Sequence, residues 1–428
     1  MADEHGFRLG PECAAQLDAD DPLGACRDEF LIPPHDDGEV AYFCGNSLGL
    51  QPRAVRQALS DELDDWAQLA VEGHFKGRLS WMDYHEYVRD GLAAVCGAET
   101  GEVVGMNTLG VNLHLLMVSF YRPTTERNAI LIEGGAFPTD RYAIESQIRF
   151  HGHDPGTSLI ELQPDQNNGC ISMAAIEKVL AEHGQRIALV MLPGVQYRTG
   201  QAFDLKAITA LAHAQGCTVG FDLAHAVGNL PLRLHDSNAD FAVWCSYKYL
   251  NAGPGAVGGA FVHARHARAD VPRFAGWWGH NKANRFEMPA RFDPTPGADG
   301  WQLSNPPILA LAPLRVSLDI FQRVGMPALG DKSRTLTAYL EYLVEQRLDS
   351  VLEVATPKDP AQRGAQLSIR VKRGRDDGRA LFEHLIESGV IVDWREPDVI
   401  RVAPVPLYNR YQDCLRLVDR IDAWAARR

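Results

Sequence analysis

Two stretches of the chain decide its fold, Thr218-Val-Gly-Phe-Asp-Leu-Ala-His225 and Phe241-Ala-Val-Trp-Cys-Ser-Tyr-Lys-Tyr-Leu250. Each begins with a short apolar run of strand character and then carries a chemically active side chain, Asp222 in the first and Lys248 in the second. Open α/β proteins bind ligands beyond the carboxyl ends of their strands. We therefore expect a carboxylate and an amine to meet at one edge of a sheet.

Strands and helices alternate around these two stretches, between about residues 128 and 262. Strands are predicted at 129–133, 157–162, 187–192, 218–222, 241–246 and 260–263, and helices at 138–150, 172–183 and 204–215. Asp204 as an N-cap, and Gly184 and Gly216 after two of the helices, support these limits. The alternation predicts an α/β fold with a mostly parallel sheet covered by helices on both faces.

The pattern changes after Asn305-Pro-Pro307 to that of a smaller α+β domain. A long helix is predicted at 335–347, strands at 366–371 and 399–402 with a helix between them, and a terminal helix at 412–426. The predicted organisation is an N-terminal segment (1–70) that packs with the small domain, a large cofactor-binding domain (71–300) and a small domain (301–428).

Composition narrows the class of protein and its partners. The net charge of −13 argues against nucleic acid and anionic membranes as partners. Eight cysteines are spread without a closely spaced pair, which is typical of a reduced, cytoplasmic protein without disulfides. The histidines of His151-Gly-His153 and His263-Ala-Arg-His266 are interpreted as solvated loop residues, so no metal is expected. No apolar run approaches the roughly 18 residues of a membrane span.

The pair Lys248 and Asp222 suggests pyridoxal 5'-phosphate (PLP) as the cofactor. PLP requires an amine that forms a Schiff base and a carboxylate that keeps its pyridine nitrogen protonated, so that the ring can take up the electrons of a carbanion. Tyr247 and Tyr249 flank the lysine with bulk that would exclude water from it.

Seven strings of sequence, in order and with similar spacing between about residues 40 and 410, resemble kynureninase. They are Gly45-Asn-Ser-Leu-Gly-Leu50, Phe137-Pro-Thr-Asp-Arg-Tyr142, Phe221-Asp-Leu-Ala-His-Ala-Val-Gly-Asn229, Trp244-Cys-Ser-Tyr-Lys-Tyr-Leu-Asn-Ala-Gly253, Gly276-Trp-Trp-Gly-His280, Ser304-Asn-Pro-Pro307 and Arg401-Val-Ala-Pro-Val-Pro-Leu-Tyr408. The resemblance implies a homodimer of the aspartate-aminotransferase fold (PLP fold type I). It also implies hydrolysis of the Cβ–Cγ bond of L-kynurenine to anthranilate and L-alanine, in tryptophan catabolism or NAD biosynthesis.

The resemblance also implies the roles of individual residues. The catalytic residues are Lys248, which forms the Schiff base, Asp222, which pairs with the pyridinium nitrogen, and Tyr247, an acid/base near the γ-carbonyl. The cofactor-binding residues are Leu109, Gly110, Phe137, Pro138, Thr139, Asp140, Asp222, His225, Tyr247, Lys248, Trp277 and Asn305. The substrate-binding residues are Ser47, His74, Asn305 and Arg401, and Arg401 would bind the α-carboxylate.

Two of the assigned residues are expected to serve the site of the partner subunit, and two positions differ from the family pattern. Trp277 and Asn305 are expected to come from the partner subunit. Gly110 stands where relatives often carry threonine, and Pro193 where some carry serine, so two hydroxyl donors to the phosphate are missing. His74, with Ser304-Asn305, resembles the pocket of members that favour 3-hydroxykynurenine. We therefore expect both substrates to be cleaved, 3-hydroxykynurenine with the higher kcat/KM.

Two alternatives stay open at this point. The first is another enzyme of the same fold, such as a cysteine desulfurase or an aminotransferase. A desulfurase needs a mobile cysteine well after the lysine, and the available one, Cys414, falls in the predicted terminal helix. The second is a non-catalytic α/β protein that binds a nucleotide or a partner.

Overall fold

The structure, a computed structural model, describes residues 6–36, 38–166 and 168–428. These residues form two compact units. The first unit contains the described residues up to Ala54, together with Val195–Ala202 and Arg323–Arg428. The second unit contains Val55–Gly194 and Phe203–Gln322.

The helices and strands are numbered in chain order. The α-helices are α1 (Pro11–Ala19), α2 (Val55–Leu69), α3 (Arg89–Cys96), α4 (Leu109–Phe120), α5 (Pro138–Phe150), α6 (Pro155–Ser158), α7 (Met173–His183), α8 (Leu205–Ala214), α9 (Leu234–Ser237), α10 (Ile308–Val324), α11 (Met326–Arg347), α12 (Arg375–Glu387) and α13 (Tyr411–Ala425). The strands are β1 (Phe30–Leu31), β2 (Pro34–His35), β3 (Gly38–Glu39), β4 (Ala41–Tyr42), β5 (Gln51–Pro52), β6 (Val103–Gly105), β7 (Ala129–Glu133), β8 (Leu159–Leu162), β9 (Ile187–Pro193), β10 (Thr218–Asp222), β11 (Phe241–Cys245), β12 (Gly258–Val262), β13 (Leu352–Val354), β14 (Leu367–Val371), β15 (Val390–Ile391), β16 (Asp393–Arg395) and β17 (Val399–Val402). Short 3-10 helices lie at Gly24–Glu29, Ala70–His74, Trp81–Glu86, Thr100–Glu102, Gly184–Arg186, Ala264–His266, Trp277–Gly279, Arg285–Glu287, Ala298–Trp301 and Pro360–Gln362.

The second unit is built on a seven-stranded sheet in the order β6-β12-β11-β10-β9-β7-β8. Strand β12 is antiparallel to both of its neighbours, and the other four strand pairs are parallel. Every residue of β7, β9, β11 and β12 is buried, so both faces of the sheet are covered. The prediction of a mostly parallel α/β sheet is confirmed.

The first unit contains a four-stranded antiparallel sheet in the order β13-β14-β17-β16. Its core joins apolar residues of this sheet to residues of α1, α11, α12 and α13, among them Leu336, Leu343, Ile369, Leu381 and Val418. Strands β15 and β4 pair in parallel, so a segment near the start of the chain is part of this unit.

Most predicted limits agree closely with the structure. β7, α5, β10 and β17 have the predicted bounds. The predicted strand at 157–162 is wrong at its start: Pro155–Ser158 form a helical turn, because the Asp154 side chain accepts the N–H of Gly156 and caps it. The hydrophobic pattern gave no bounds for α4, because this helix is largely buried and lacks an amphipathic period; a helix start near Leu109 and Gly110 was implied only by the family resemblance.

The two units differ in extent from the predicted domains, whose limits were placed at residues 70 and 300. The reason lies in α2 and α10. Val55 and Ala58 of α2 pack against Val316 of α10, so both helices contribute to a core of the second unit. Among the described residues, no α-helix has an apolar run long enough to cross a membrane.

Candidate active site

Three ionisable side chains lie at the carboxyl edge of the seven-stranded sheet. Glu133 is the last residue of β7 and Asp222 is the last residue of β10, and Lys248 follows the end of β11. Since these three strands are parallel and lie within four successive positions of the sheet, β11-β10-β9-β7, their ends bring the three side chains to one edge. This is the geometry that the sequence predicted for Asp222 and Lys248.

The Lys248 amine lies among three of the predicted site residues. Its Nζ atom is 3.0 Å from Nε2 of His225. The same atom is 5.9 Å from the ring centroid of Phe137 and 5.9 Å from that of Tyr247. The amine is thus held by one polar contact between two aromatic rings, a partly enclosed position that suits a reactive amine.

Three buried carboxyl groups surround the end of β10. Asp222 is 7% exposed, Asp140 8% and Glu133 4%. Asp140 lies in the first turn of α5, which begins at Pro138, a residue suited to the first helical position. The Asp222 side chain accepts the N–H of Ala224 at 2.7 Å, which fixes the direction of the carboxyl group.

Burial and mutual repulsion set the protonation of these carboxyl groups. Burial raises the pKa of Asp140 well above its usual value, and the charge of Asp222 raises it further. Burial also raises the pKa of Asp222, but the Ala224 N–H and the charge of Lys248 oppose the rise. Burial raises the pKa of Glu133 to about 8. The hydrogen bond between the two side chains raises the pKa of Asp140 and lowers that of Asp222, so Asp140 is the donor of the pair and Asp222 the acceptor.

The N-terminus of α4 provides a cradle for an anion. An ideal Cβ on Gly110 would lie 3.4 Å from Cγ2 of Thr139, so the first turns of α4 and α5 are adjacent. A Cβ on Gly258 would lie 3.0 Å from the backbone nitrogen of Leu109, so glycine allows β12 to approach the start of α4. The free N–H groups of a helix start attract phosphate. The N–H groups of Leu109 and Gly110 at this helix start can therefore hold a phosphate. The cofactor-binding roles of Leu109, Gly110, Pro138 and Thr139 stay predictions.

The loop before α4 is held by amide side chains. Nδ2 of Asn112 donates to the carbonyl of Met106 at 2.9 Å, and its Oδ1 accepts from Asn107 at 3.0 Å. Asn112 is fully buried. At the neighbouring strand end, Pro193 pairs in register with Asp222, and the N–H of Gly194 donates to the Asp222 carbonyl. Neither Gly110 nor Pro193 has a hydroxyl. The backbone N–H of Gly110 can still donate to a phosphate, whereas Pro193 has no N–H to donate.

Trp277, Asn305 and His74 belong to the second unit, and none of them is among the residues that contact the Lys248 amine as described above. The Trp277 side chain is 40% exposed, and its Nε1 donates to the carbonyl of Arg285. Asn305 is exposed in the loop before α10. The assignment of Trp277 and Asn305 to a site shared between subunits stays a prediction, as does the substrate contact of His74.

Arg401 and Ser47 belong to the first unit. Arg401, on β17, is 0% exposed. Its Nε donates to Asp393 at 2.9 Å and its Nη1 donates to the carbonyl of Tyr197 at 2.9 Å. The guanidinium is therefore oriented by the protein itself. Ser47 lies in a turn in which its N–H donates to the carbonyl of Cys44.

The sequence interpretation missed Glu133 and Asp393. Glu133 ends an apolar strand, as Asp222 does, so this sequence pattern could have indicated it. Its carboxyl group matters for the site because α5 brings Asp140 close to it. No local sequence pattern indicates a functional role for Asp393. Its contact with Arg401 comes from the antiparallel pairing of β16 with β17.

The interpretation of His263 and His266 as solvated loop residues is wrong. The rings of His263 and His235 stack with centroids 5.0 Å apart, and His266 bonds to Asp240 at 2.8 Å. Glu102, His235 and His263 place one ligand atom each within 4.8 Å of one another. Nδ1 of His263 accepts the N–H of Arg265, and Glu102 bonds to His235 and to the N–H of Ala264, so these atoms already serve the local fold.

The donor set at the carboxyl edge fits PLP. It offers an amine (Lys248), a carboxylate held in a buried position (Asp222), an aromatic ring (Phe137) and a helix start for the phosphate (Leu109). Cys414, the cysteine that a desulfurase would require, is fully buried in α13. Burial raises the pKa of its thiol well above the usual value, so the reactive thiolate is disfavoured.

Known proteins match this chain along nearly its whole length. The family described as "Kynureninase C-terminal domain" matches residues 329–421. The chain is 64% identical to the kynureninase of Xanthomonas euvesicatoria pv. vesicatoria (strain 85-10) over 413 residues, which cover 96% of this chain and 98% of the relative. It is 63% identical to the kynureninase of Stenotrophomonas maltophilia (strain K279a), with 96% and 97% covered.

Solved structures with the same fold include cysteine desulfurases. The cysteine desulfurase CsdA from Escherichia coli superposes with a TM-score of 0.75 at 16% identity, covering 94% of this chain and 98% of that one. The cysteine desulfurase from Thermococcus onnurineus NA1 superposes with a TM-score of 0.73 at 16% identity, covering 99% and 100%. At this identity the likeness establishes the fold, fold type I of the PLP enzymes.

Proposed function

Since the chain belongs to the kynureninase family, whose members are PLP-dependent hydrolases of carbon–carbon bonds, we propose that it cleaves both L-kynurenine and 3-hydroxykynurenine. The products are L-alanine with anthranilate in the first case and with 3-hydroxyanthranilate in the second. The proposed role is in tryptophan catabolism or NAD biosynthesis. The observation that supports this proposal best is the position of the Lys248 amine, 3.0 Å from His225 at the sheet edge that carries Asp222.

The residues at the carboxyl edge of the sheet would have separate roles in binding the cofactor and in proton transfer. Bound PLP supplies an electron sink that stabilises negative charge on the substrate's carbon atoms. Lys248 holds the cofactor and moves the proton at the substrate's α-carbon. Asp222 would hold the cofactor's ring nitrogen through a negative charge, which the hydrogen bond donated by Asp140 favours, and the raised pKa of Glu133 disfavours a second negative charge nearby.

Tyr247 is proposed as the proton donor to the γ-carbonyl oxygen. Burial raises the pKa of its phenol above the usual value, and the neighbouring Cys245 raises it further. The hydroxyl therefore stays protonated at neutral pH and is suited to donate a proton or a hydrogen bond, rather than to accept a proton.

Arg401 is proposed to bind the substrate's α-carboxylate. Its planar guanidinium matches a carboxylate, and Asp393 and the Tyr197 carbonyl hold it in one orientation. A guanidinium that is already oriented loses little freedom when the substrate binds. Ser47 is proposed to contact the same substrate.

Purified protein loaded with PLP should be assayed with kynurenine and 3-hydroxykynurenine side by side, and with L-cysteine as the test of the desulfurase alternative. We expect release of L-alanine from the first two compounds and no sulfide from the third. Absence of alanine from both aromatic substrates, in protein that carries bound PLP, would refute the proposed function.

A shared site predicts complementation between two inactive variants. If Trp277 and Asn305 serve the cofactor of the partner subunit, a mixed dimer of Lys248→Ala and Trp277→Ala chains has one intact site of two. We expect the mixture to regain about a quarter of wild-type activity, because about half of the dimers are mixed after statistical exchange and each has one working site. Mass spectrometry of differently tagged chains verifies the exchange. Complete exchange without recovered activity would show that each chain builds its own site.

His74 is proposed to recognise the 3-hydroxyl group of the substrate by a hydrogen bond. A polar side chain that pairs with this hydroxyl is left unpaired by kynurenine, which lacks it, so the hydroxylated substrate is favoured. His74→Phe removes the pairing atom while keeping a ring. We expect the ratio of kcat/KM for 3-hydroxykynurenine to kcat/KM for kynurenine to fall by about tenfold, as measured by product formation with each substrate. An unchanged ratio would show that His74 does not recognise the 3-hydroxyl group.

A further inference from the structure

The ring of His74 is held by a neighbour that the sequence did not single out, Trp81. The two ring centroids are 5.5 Å apart and the rings are nearly perpendicular, at 88°. An edge-on contact of this kind fixes the orientation of the imidazole plane. His74 ends one 3-10 helix and Trp81 begins the next, so a short loop returns the tryptophan to the histidine.

Backbone contacts reinforce the same arrangement. A Cβ on Gly73 would lie 2.6 Å from Cη2 of Trp81, so only glycine lets the indole pack directly on the backbone beside His74. The Ser80 hydroxyl donates to the carbonyl of His74 at 2.8 Å. The main chain of His74 is therefore bound by Ser80, and its ring is contacted by Trp81.

A buried carboxylate holds the opposite end of the indole. Glu62, on α2, is 4% exposed. One of its oxygens accepts from Nε1 of Trp81 at 2.9 Å, and the other accepts from the hydroxyl of Tyr84 at 2.7 Å. A hydrogen bond to a buried carboxylate is stronger than a bond between neutral groups and is costly to leave unmade.

Packing alone does not confine the indole, because a cavity of about 160 Å³ lies beside it, lined by Glu62, Trp66, Trp81, Ile308 and Leu309. A ring that borders open space can shift into it when its polar anchor is removed. The hydrogen bond that Trp81 donates to Glu62 therefore restrains the indole on the side of this cavity.

We propose that Trp81, anchored by Glu62, is a positioning residue that orients His74 and thereby sets the preference for 3-hydroxykynurenine over kynurenine. The inference rests on the proposed contact of His74 with the substrate. Trp81 touches no reacting atom in this proposal. Its effect is confined to the direction in which the imidazole presents its nitrogen atoms, so it changes the ratio of the two substrates more than the overall rate.

The test compares substrate ratios in the PLP-loaded enzyme. Trp81→Phe removes the Nε1 donor and shortens the ring, and we expect it to lower the ratio of kcat/KM for 3-hydroxykynurenine to kcat/KM for kynurenine by about fivefold. Tyr84→Phe is the matched control, because it takes one hydrogen bond from Glu62 but leaves the bond to Trp81. We expect this control to keep the wild-type ratio. An equal fall of the ratio in both variants would overturn the proposal.

The double variant His74→Phe/Trp81→Phe shows whether Trp81 acts through His74. We expect it to have the ratio of His74→Phe alone, since the group that Trp81 positions is gone. Independent effects that multiply would overturn the proposal. Inhibition of the enzyme by 3-hydroxyanthranilate and anthranilate measures the same contact without turnover, and the ratio of the two inhibition constants should change in the same direction.

Two further results separate the possible failures. If His74→Phe itself leaves the ratio unchanged, the proposed substrate contact of His74 is wrong and this inference fails with it. If His74→Phe changes the ratio and Trp81→Phe does not, only the positioning role of Trp81 is wrong.

Should Trp81→Phe fold poorly, Ser80→Ala provides the second test, because it frees the backbone of His74 without disturbing a core residue. We expect a smaller fall of the ratio, about twofold, and an unchanged ratio in this variant would count against the proposal.

Discussion

Lys248→Ala is expected to lower kcat with kynurenine and with 3-hydroxykynurenine by about 10⁴-fold, while the protein stays folded. The amine is the group at the sheet edge that can both link the cofactor and move a proton at the α-carbon. Lys248 is half-buried, and its Nζ bonds to His225, so its loss leaves the buried strands untouched. Chromatography of the aromatic products measures the rate, and circular dichroism verifies the fold.

A lysine on the surface provides the control for Lys248. Lys206 is exposed on α8, and Lys206→Ala should retain the wild-type rate. Borohydride treatment of the wild-type enzyme with bound PLP should fix the cofactor to the peptide that contains Lys248. Turnover near the wild-type rate in Lys248→Ala, or a label on another lysine, would refute the assignment of this residue.

Asp222→Asn is expected to lower kcat/KM by about 10²- to 10³-fold. The amide oxygen can still accept the N–H of Ala224, so the local turn is kept, but the side chain can no longer carry the negative charge that the cofactor's ring nitrogen requires. We also expect weaker retention of PLP, which is measured by dialysis followed by the absorbance of the bound cofactor.

Asp140→Asn is the matched test of how the two carboxyl groups share their proton. Because the pKa of Asp140 is raised well above its usual value by burial and by Asp222, this group is already neutral, and an amide replaces a neutral donor with another neutral donor. We expect a loss of activity of about tenfold or less, clearly smaller than that of Asp222→Asn. A larger loss at Asp140 would show that Asp140 carries the charge, and equal losses would refute the division of roles between the two groups.

The sequence by itself determined the parts of this protein that depend on local pattern. The strand ending at Asp222, the strand before Lys248 and the helix from Pro138 to Phe150 were all predicted with nearly the observed limits. Apolar runs of strand length, caps and glycines are local signals, and the alternation of strand and helix determines a parallel sheet. The edge at which Asp222 and Lys248 meet follows from that alternation alone.

Only the tertiary structure decided which groups are neighbours and how they ionise. Glu133 and Asp140 become neighbours of Asp222 because the first turn of α5 brings Asp140 beside the end of β10, and burial, which no short stretch of sequence records, raises the pKa values of both groups. Glu62 reaches Trp81 across a gap of 19 residues, and Arg401 is oriented by Asp393 through strand pairing. Such contacts join elements that are distant along the chain, so their strength depends on packing and desolvation, which the folded chain alone provides.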